Sequence, residues 1–254
     1  MGKVFEPNFI WLDRVDSTNS YCMKLAENGD PEGLVVAAYF QEQGRGQRGN
    51  TWESERGKNL TFSLLLRPTF MRVEEQFSIS KMIALSICDW LKSKKIKPLI
   101  KWPNDIYVGD KKIAGILIEN SFSSPILDIS IIGIGLNLNQ TFFSPEIPNP
   151  TSLLLLTGMS HRPENVLSEL IMSIQTRYLQ LKNGLKEKVS DDYLKSLYRF
   201  QILSNYSSID GPFKAKIIGV KPLGELILET ENGQQKSFGF KEITFENETK
   251  ITTN

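Results

Sequence analysis

"LIKWPNDIYVGDKKIAGILIEN", Leu99 to Asn120, is the stretch on which the fold turns. Its apolar residues fall into runs of strand length that meet at VGDK, where Gly109-Asp110 suits a tight hairpin turn. The stretch therefore reads as two strands of a sheet. It also carries chemistry. Lys101, Asn104 and Asp105 share one strand-and-turn piece, and Lys112 opens the otherwise apolar second strand beside the small pair Ala114-Gly115. Pro103 biases Trp102 toward an extended conformation and fixes the local direction of the chain.

Outward from this hairpin, FIWLDRV (Phe9–Val15), LVVAAYFQ (Leu34–Gln41), LTFSLLLRP (Leu60–Pro68) and ILDISIIGIGLNLN (Ile126–Asn139) predict further strands. DSTNSYCMKLAENGD predicts a helix, with Ser17 or Thr18 as N-cap and Asn28-Gly29 as its stop. Ile79, Ile83, Ile87 and Leu91 recur every fourth residue with Met82 beside them, which marks an amphipathic core helix. Two more helical patterns lie within Pro163–Phe200. Beyond about residue 203, FKAKIIGV, GELILET and QQKSFGF are short alternating strands, with Asn232-Gly233 as a hairpin signal. The expected architecture is α+β. A mixed β-sheet with packed helices occupies residues 1–203, and a small all-β domain over 204–254 packs on it.

The bulk properties of the 254 residues narrow the function classes. A net charge of +1 gives no overall basic footprint for DNA, RNA or a membrane, so any basic site is local. No apolar run approaches the ~20 residues needed to span a bilayer. MGKVFEPNFIWLDRV is polar and acidic where a signal peptide needs an apolar core, and Phe5-Glu6 fits a myristoylation signal poorly. A cytoplasmic protein is expected. Cys22 and Cys88 read as buried, reduced thiols. His161 is the only histidine, too little for a zinc site or a Ser-His-Asp triad.

From Glu42 to Asn59 the chain has no periodicity, and a structureless connection of that length is usually a functional or a disordered loop. It contains GRGQRGNTW, Gly44–Trp52. Gly44, Gly46 and Gly49 permit backbone conformations closed to other residues, so successive N–H groups can converge on an anion. Arg45 and Arg48 add charge-assisted donors, and Trp52 offers a flat face to a ring. Read alone, the loop fits a mobile basic surface segment equally well. Lys111 and Lys112 read alone fit solvated hairpin residues. Asn104 and Asp105 supply hard oxygens of the kind Mg²⁺ takes beside nucleotide phosphates.

Taken together, DSTN, GRGQRGNTW, KWPNDIYVGDKKIAGILIE and GIGLNLN occur in the order found in biotin protein ligases (biotin–acetyl-CoA-carboxylase ligases), which this chain resembles from Phe9 to Asn139. The resemblance implies a class II synthetase-like biotin/lipoate ligase catalytic fold followed by an SH3-like β-barrel domain. It implies two-step chemistry: biotin and ATP give biotinyl-5′-AMP and pyrophosphate, and a lysine of a biotin carboxyl carrier protein then takes the biotinyl group. Lys112, Arg45 and Asp105 match catalytic positions. Ser17, Thr18, Asn19, Gln41, Gly44, Arg45, Gly46, Gln47, Lys112 and Gly115 match the biotin site. Arg45, Arg48, Trp52, Lys101, Asn104, Asp105 and Asn137 match the ATP site, with Asn104 and Asp105 near Mg²⁺. Members can pair through sheet edges, so a homodimer is open.

One position departs. Gln47 stands where many members carry the second arginine of Gly-Arg-Gly-Arg, a residue associated with retaining the adenylate. Glutamine keeps donors but loses the charge, so the adenylate is expected to leave more readily here. Members that also repress transcription carry an N-terminal helix-turn-helix domain. Here the Ser-Thr-Asn block begins at residue 17, so a short form without DNA binding is expected. A lipoate–protein ligase, which shares the fold and adenylate chemistry, and a plain nucleotide-binding module are the alternatives.

Overall fold

A computed structural model describes residues 4–123 and 125–246. The larger sheet has seven strands, β1 (Asn8–Leu12), β2 (Leu34–Ala38), β3 (Leu60–Leu66), β4 (Pro98–Lys101), β5 (Asp105–Val108), β6 (Lys111–Ser123) and β7 (Ile126–Leu136), in the order β1-β2-β3-β7-β6-β5-β4. β1 and β2 are parallel because helix α1 (Thr18–Glu27) carries the chain back between them, and every other neighbouring pair is antiparallel.

The Leu99–Asn120 stretch forms three strands rather than two. β4 and β5 pair antiparallel with Lys101 opposite Asp105, and the chain turns between them through Trp102–Asn104, with a cis bond at Trp102-Pro103. Pro103 has no N–H to give a ladder, so one continuous strand across it would leave the ladder broken. The expected hairpin at Gly109-Asp110 joins β5 and β6, with Gly109 at φ 58°.

Helix α2 (Phe77–Ser93) buries Ile79, Met82, Ile83, Ile87 and Leu91 on one face of the sheet. Helices α4 (Pro163–Lys182) and α5 (Lys186–Lys195) pack behind it, and a short α3 (Leu153–Thr157) precedes them. Helix α1 covers part of the opposite face, where Cys22 and Ala26 meet Leu34, Val36, Leu65 and Ile131. Both cysteines are free and buried, and burial pushes each thiol up to about 12. No helix among the described residues is long and apolar enough to cross a membrane.

The last part of the chain forms a second, antiparallel sheet: β8 (Ser204–Ser208), β9 (Gly211–Val220), β10 (Leu226–Thr230), β11 (Gln235–Phe238) and β12 (Thr244–Phe245), in the order β11-β10-β9-β8-β12. Two of its strands, β8 and β12, carry no alternating apolar pattern. Tyr206, Ile217, Leu226 and Leu228 merge with the main core. The junction is tied by Trp102 Nε1 donating to Gly224 O at 2.8 Å and by the Trp102 and Phe240 rings, 5.4 Å apart.

Candidate active site

Alternation along three neighbouring strands builds the floor of a cavity. Thr61 lies opposite Gly135, which lies opposite Gly115, and Ser63 lies opposite Gly133, which lies opposite Leu117. Side chains of a strand point alternately to its two faces, so Phe62, Leu64, Ile116, Ile132 and Ile134 enter the main core. Their neighbours face the other way, and because most are small they leave a trough of about 340 Å³.

The N-terminus of α1 closes one end. Thr18 and Asn19 are each 3% exposed. Ser63 Oγ lies 2.8 Å from Thr18 Oγ1 and 2.5 Å from Asn19 Oδ1. Asn19 Nδ2 donates to Glu119 Oε2 at 2.8 Å and to Leu117 O at 3.3 Å. Asn19 can sit so low because its floor residue is glycine: a Cβ at Gly133 would stand under 3.0 Å from Asn19 Oδ1. Ser17 is the N-cap residue, as expected, but its hydroxyl makes no capping bond. The cap is Gln41, whose Oε1 accepts from Thr18 N at 2.8 Å and Thr18 Oγ1 at 3.0 Å. Gln41 is thus anchored on the cavity wall by its carbonyl.

Backbone contacts within the glycine-rich loop give it a closed shape. Gly46 N donates to Asn50 O at 2.7 Å and Trp52 N to Gly44 O at 2.9 Å, so the loop closes as a narrow hairpin. Of its three glycines only Gly49 has a left-handed φ, 85°. Gly44 is required for space, since a Cβ there would overlap Trp52 O. The loop also contributes a side chain. Arg45 Nη2 contacts Glu119 Oε2 at 2.6 Å and its Nε reaches Ser17 Oγ at 3.4 Å, which sets the guanidinium at the cavity wall. The backbone of Arg48 lies in a short 3₁₀ turn, Gln47–Gly49, and its side chain lies outside the described residues. Gln47 lines the cavity.

At the open end, Lys112 Nζ pairs with Asp105 Oδ1 at 2.7 Å, the two side chains 26% and 23% exposed. Lys112 and Gly115 share a face despite their odd spacing. A β-bulge opposite Ile106/Tyr107 sets Tyr107 against Lys112 and Ile106 against Ala114, and both Ile113 and Ala114 go to the core. The Trp52 ring lies over Gly135 and Gly115, with Lys112 Nζ 5.7 Å from its centre, and its Nε1 is buried with no partner. A Cβ at Gly135 would collide with this ring. Lys101 Nζ stands 4.8 Å from the Tyr107 ring and 5.5 Å from the Phe245 ring, and burial holds its pKa below the ordinary lysine value. Ile243, Thr244 and Phe245 of the smaller sheet complete this wall.

Asn104 Nδ2 donates to Ile116 O at 2.8 Å, which turns its Oδ1 away from the strand. Asn137 does not line the trough. It is buried, donates to Thr151 O at 2.9 Å, and faces an adjoining cavity of about 580 Å³. Trp52, Asp105 and Lys112 border both cavities, so the ammonium stands at their junction. His161 lines neither; its ring is partly buried, which lowers its pKa, and its backbone pairs with the Asn139 side chain. Among the described residues no group of three or more His, Cys, Asp or Glu converges. One carboxylate and one amide oxygen, Asp105 and Asn104, fit Mg²⁺ held chiefly by phosphate oxygens.

A trough on a seven-stranded mixed sheet, bordered by Arg45, Lys101 and Lys112 and floored at one end by buried hydroxyl and amide groups, is the site of a ligase-type fold. Residues 11–137 match the Biotin/lipoate A/B protein ligase family, and the chain belongs to that family. It is 30% identical over 244 residues to the bifunctional ligase/repressor BirA of Bacillus spizizenii, covering 93% of this chain and 74% of that protein. It is 35% identical over 163 residues to the biotin–[acetyl-CoA-carboxylase] ligase of Paracoccus denitrificans, covering 61% and 67%. The biotin protein ligase from Aquifex aeolicus, solved in complex with biotin and ATP, superposes with a TM-score of 0.78 at 29% identity, over 95% of this chain and 99% of that one.

Proposed function

We propose that this chain is an ATP-dependent biotin–protein ligase that makes biotinyl-5′-AMP and passes the biotinyl group to a lysine of a biotin carboxyl carrier protein of acetyl-CoA carboxylase. One observation carries the reading: the Lys112 ammonium stands where a trough lined by Ser17, Thr18, Asn19 and Arg45 opens into a second cavity. The ureido ring binds at the neutral end, where amide and hydroxyl groups are held in place. Its carboxylate reaches Lys112, and the nucleotide runs past Trp52 into the cavity bordered by Asn137.

Two anions meet at that junction, and Lys112 and Arg45 offset their repulsion. A carboxylate oxygen attacks the α-phosphorus and pyrophosphate leaves. The carrier amine then attacks the acyl carbon and AMP leaves. Positioning and electrostatics carry both displacements. Asp105 holds Lys112 in line, and Asp105 and Asn104 would hold Mg²⁺, which when bound neutralises phosphate charge. Residues 1–203 serve as the catalytic domain, and 204–254 as a domain whose Ile243–Phe245 edge walls the site. Biotin-dependent ATP–pyrophosphate exchange tests the assignment. Exchange driven by lipoate and not by biotin would replace it with the lipoate ligase, and no exchange with either acid would leave only a nucleotide-binding module.

A further inference from the structure

We infer that Glu119 is a positioning residue that fixes two ligand-facing side chains, Asn19 and Arg45, through one carboxylate oxygen. The inference rests on the biotin reading above and deepens it. Glu119 Oε2 accepts from Arg45 Nη2 at 2.6 Å and from Asn19 Nδ2 at 2.8 Å. Arg45 lies on the glycine-rich loop and Asn19 on α1, so strand β6 ties together two segments that are far apart in sequence.

The consequences differ for the two side chains. An amide side chain can be turned over without changing its shape, so something must decide which end of Asn19 is the donor. Glu119 and Leu117 O take both Nδ2 hydrogens, and Ser63 Oγ lies 2.5 Å from Oδ1. Arg45 presents a different problem. Its side chain is 42% exposed, its one other hydrogen bond among the described residues is the long 3.4 Å contact to Ser17 Oγ, and an unpinned arginine loses much rotamer freedom when a ligand orders it. Glu119 takes one Nη2 hydrogen and leaves both Nη1 hydrogens for an anion. A carboxylate so close to an anion site also repels the ligand. At 33% exposure that repulsion is screened, and it acts over a longer distance than the 2.6 Å contact that pins Arg45.

Glu119→Gln separates the two roles. Its amide oxygen still accepts from Asn19, and the bond to Arg45 loses its charge assistance. The measurement is calorimetric binding of biotinol, the neutral alcohol analogue of biotin, with stopped-flow release of biotinyl-AMP, on the full chain. For Glu119→Gln, adenylate release speeds up about tenfold and biotinol affinity stays within about twofold. For Glu119→Ala, biotinol affinity falls as well. In an Arg45→Ala background, Glu119→Gln has no further effect on release. Slower adenylate release from Glu119→Gln, or equal losses for biotinol and adenylate, overturns the inference. So does wild-type behaviour of Glu119→Ala. Wild-type protein that binds no biotin would instead remove the ligase reading, and far-UV circular dichroism of each variant separates these outcomes from misfolding.

Discussion

At the Asn19 end of the cavity Thr18, Asn19 and Ser63 are neutral, almost fully buried and already paired, with the Arg45–Glu119 pair at their rim, whereas at the other end Lys112 and Asp105 are charged and about a quarter exposed. Thr18, Asn19 and Ser63 reach their partners within one local network, and Gly133 makes room for it. Lys112 and Asp105 satisfy each other, with water still in reach of both. The difference follows from what each end does. A buried neutral group left without a partner costs about 1–3 kcal/mol, so the recognition end works only if it is rigid. The reacting end has to exchange partners as charge moves from carboxylate to phosphate, and a fully buried ion pair would resist that exchange.

The largest effect is expected from removing the junction cation. Lys112→Met should slow single-turnover formation of biotinyl-AMP by about a thousandfold, the scale of losing a group that stabilises transition-state charge. Biotinol affinity, measured by calorimetry, should change by less than about threefold. Equal losses in the two measurements would mean that the ends are not separable.

Gly133→Ala attacks the other end. Its Cβ would push Asn19 off the floor, and over-packing of this kind costs about 1–3 kcal/mol. Biotinol affinity should fall about a hundredfold, while the rate at saturating biotin stays near wild type. A fall in that rate without a fall in affinity would reverse the assignment of the ends.

Much of the recognition end was legible in the sequence, because it is built on regular elements. Isoleucines at every fourth residue can only be the inner face of a helix, and α2 buries them. ILDISIIGIGL has strand composition, and β7 uses its alternation to send Ile132 and Ile134 inward and Gly133 and Gly135 outward. The reacting end was legible as residues but not as geometry. Lys112 and Gly115 sit at odd spacing, and only the bulge near Ile113 brings them to one face. Nothing in the local sequence marks Glu119, because its partners lie 74 and 100 residues away. The Gln41 cap was hidden for the same reason. β8, Ser-Asn-Tyr-Ser-Ser, forms a strand through its neighbours and Tyr206 rather than through its own pattern. The glycines of the loop were legible as a flexible segment, and the hairpin bond from Gly46 N to Asn50 O was not, because no periodicity marks it.

Gln47 sharpens the comparison further, since it stands at the charged end without a charge. Gln47→Arg should slow biotinyl-AMP release about tenfold by adding a charge-assisted donor, and stopped-flow release reads it. Equal rates would mean that the remaining cations already hold the adenylate.

The smallest effect concerns stability. If the reacting end is charged for function and not for folding, its least paired cation should cost the fold something. Among the described residues Lys101 Nζ bonds the Tyr107 hydroxyl at 3.2 Å and stands against two aromatic faces, and burial lowers its pKa more than the Asp105 charge raises it. Below the folded-state pKa, the folded protein bears the cost of an ammonium held out of water. As pH rises from there toward the usual lysine value near 10.4, the unfolded chain binds more protons than the folded one, so stability attributable to this group increases. Lys101→Met should therefore raise the urea midpoint at pH 7, with an advantage that shrinks as pH approaches 10. The matching change at the neutral end, Ser63→Ala, should lower the midpoint by an amount that does not vary over that range, because no group there titrates in it. An advantage for Lys101→Met that grew with pH would mean that the ammonium stabilises the fold, and the two ends would then differ in exposure alone.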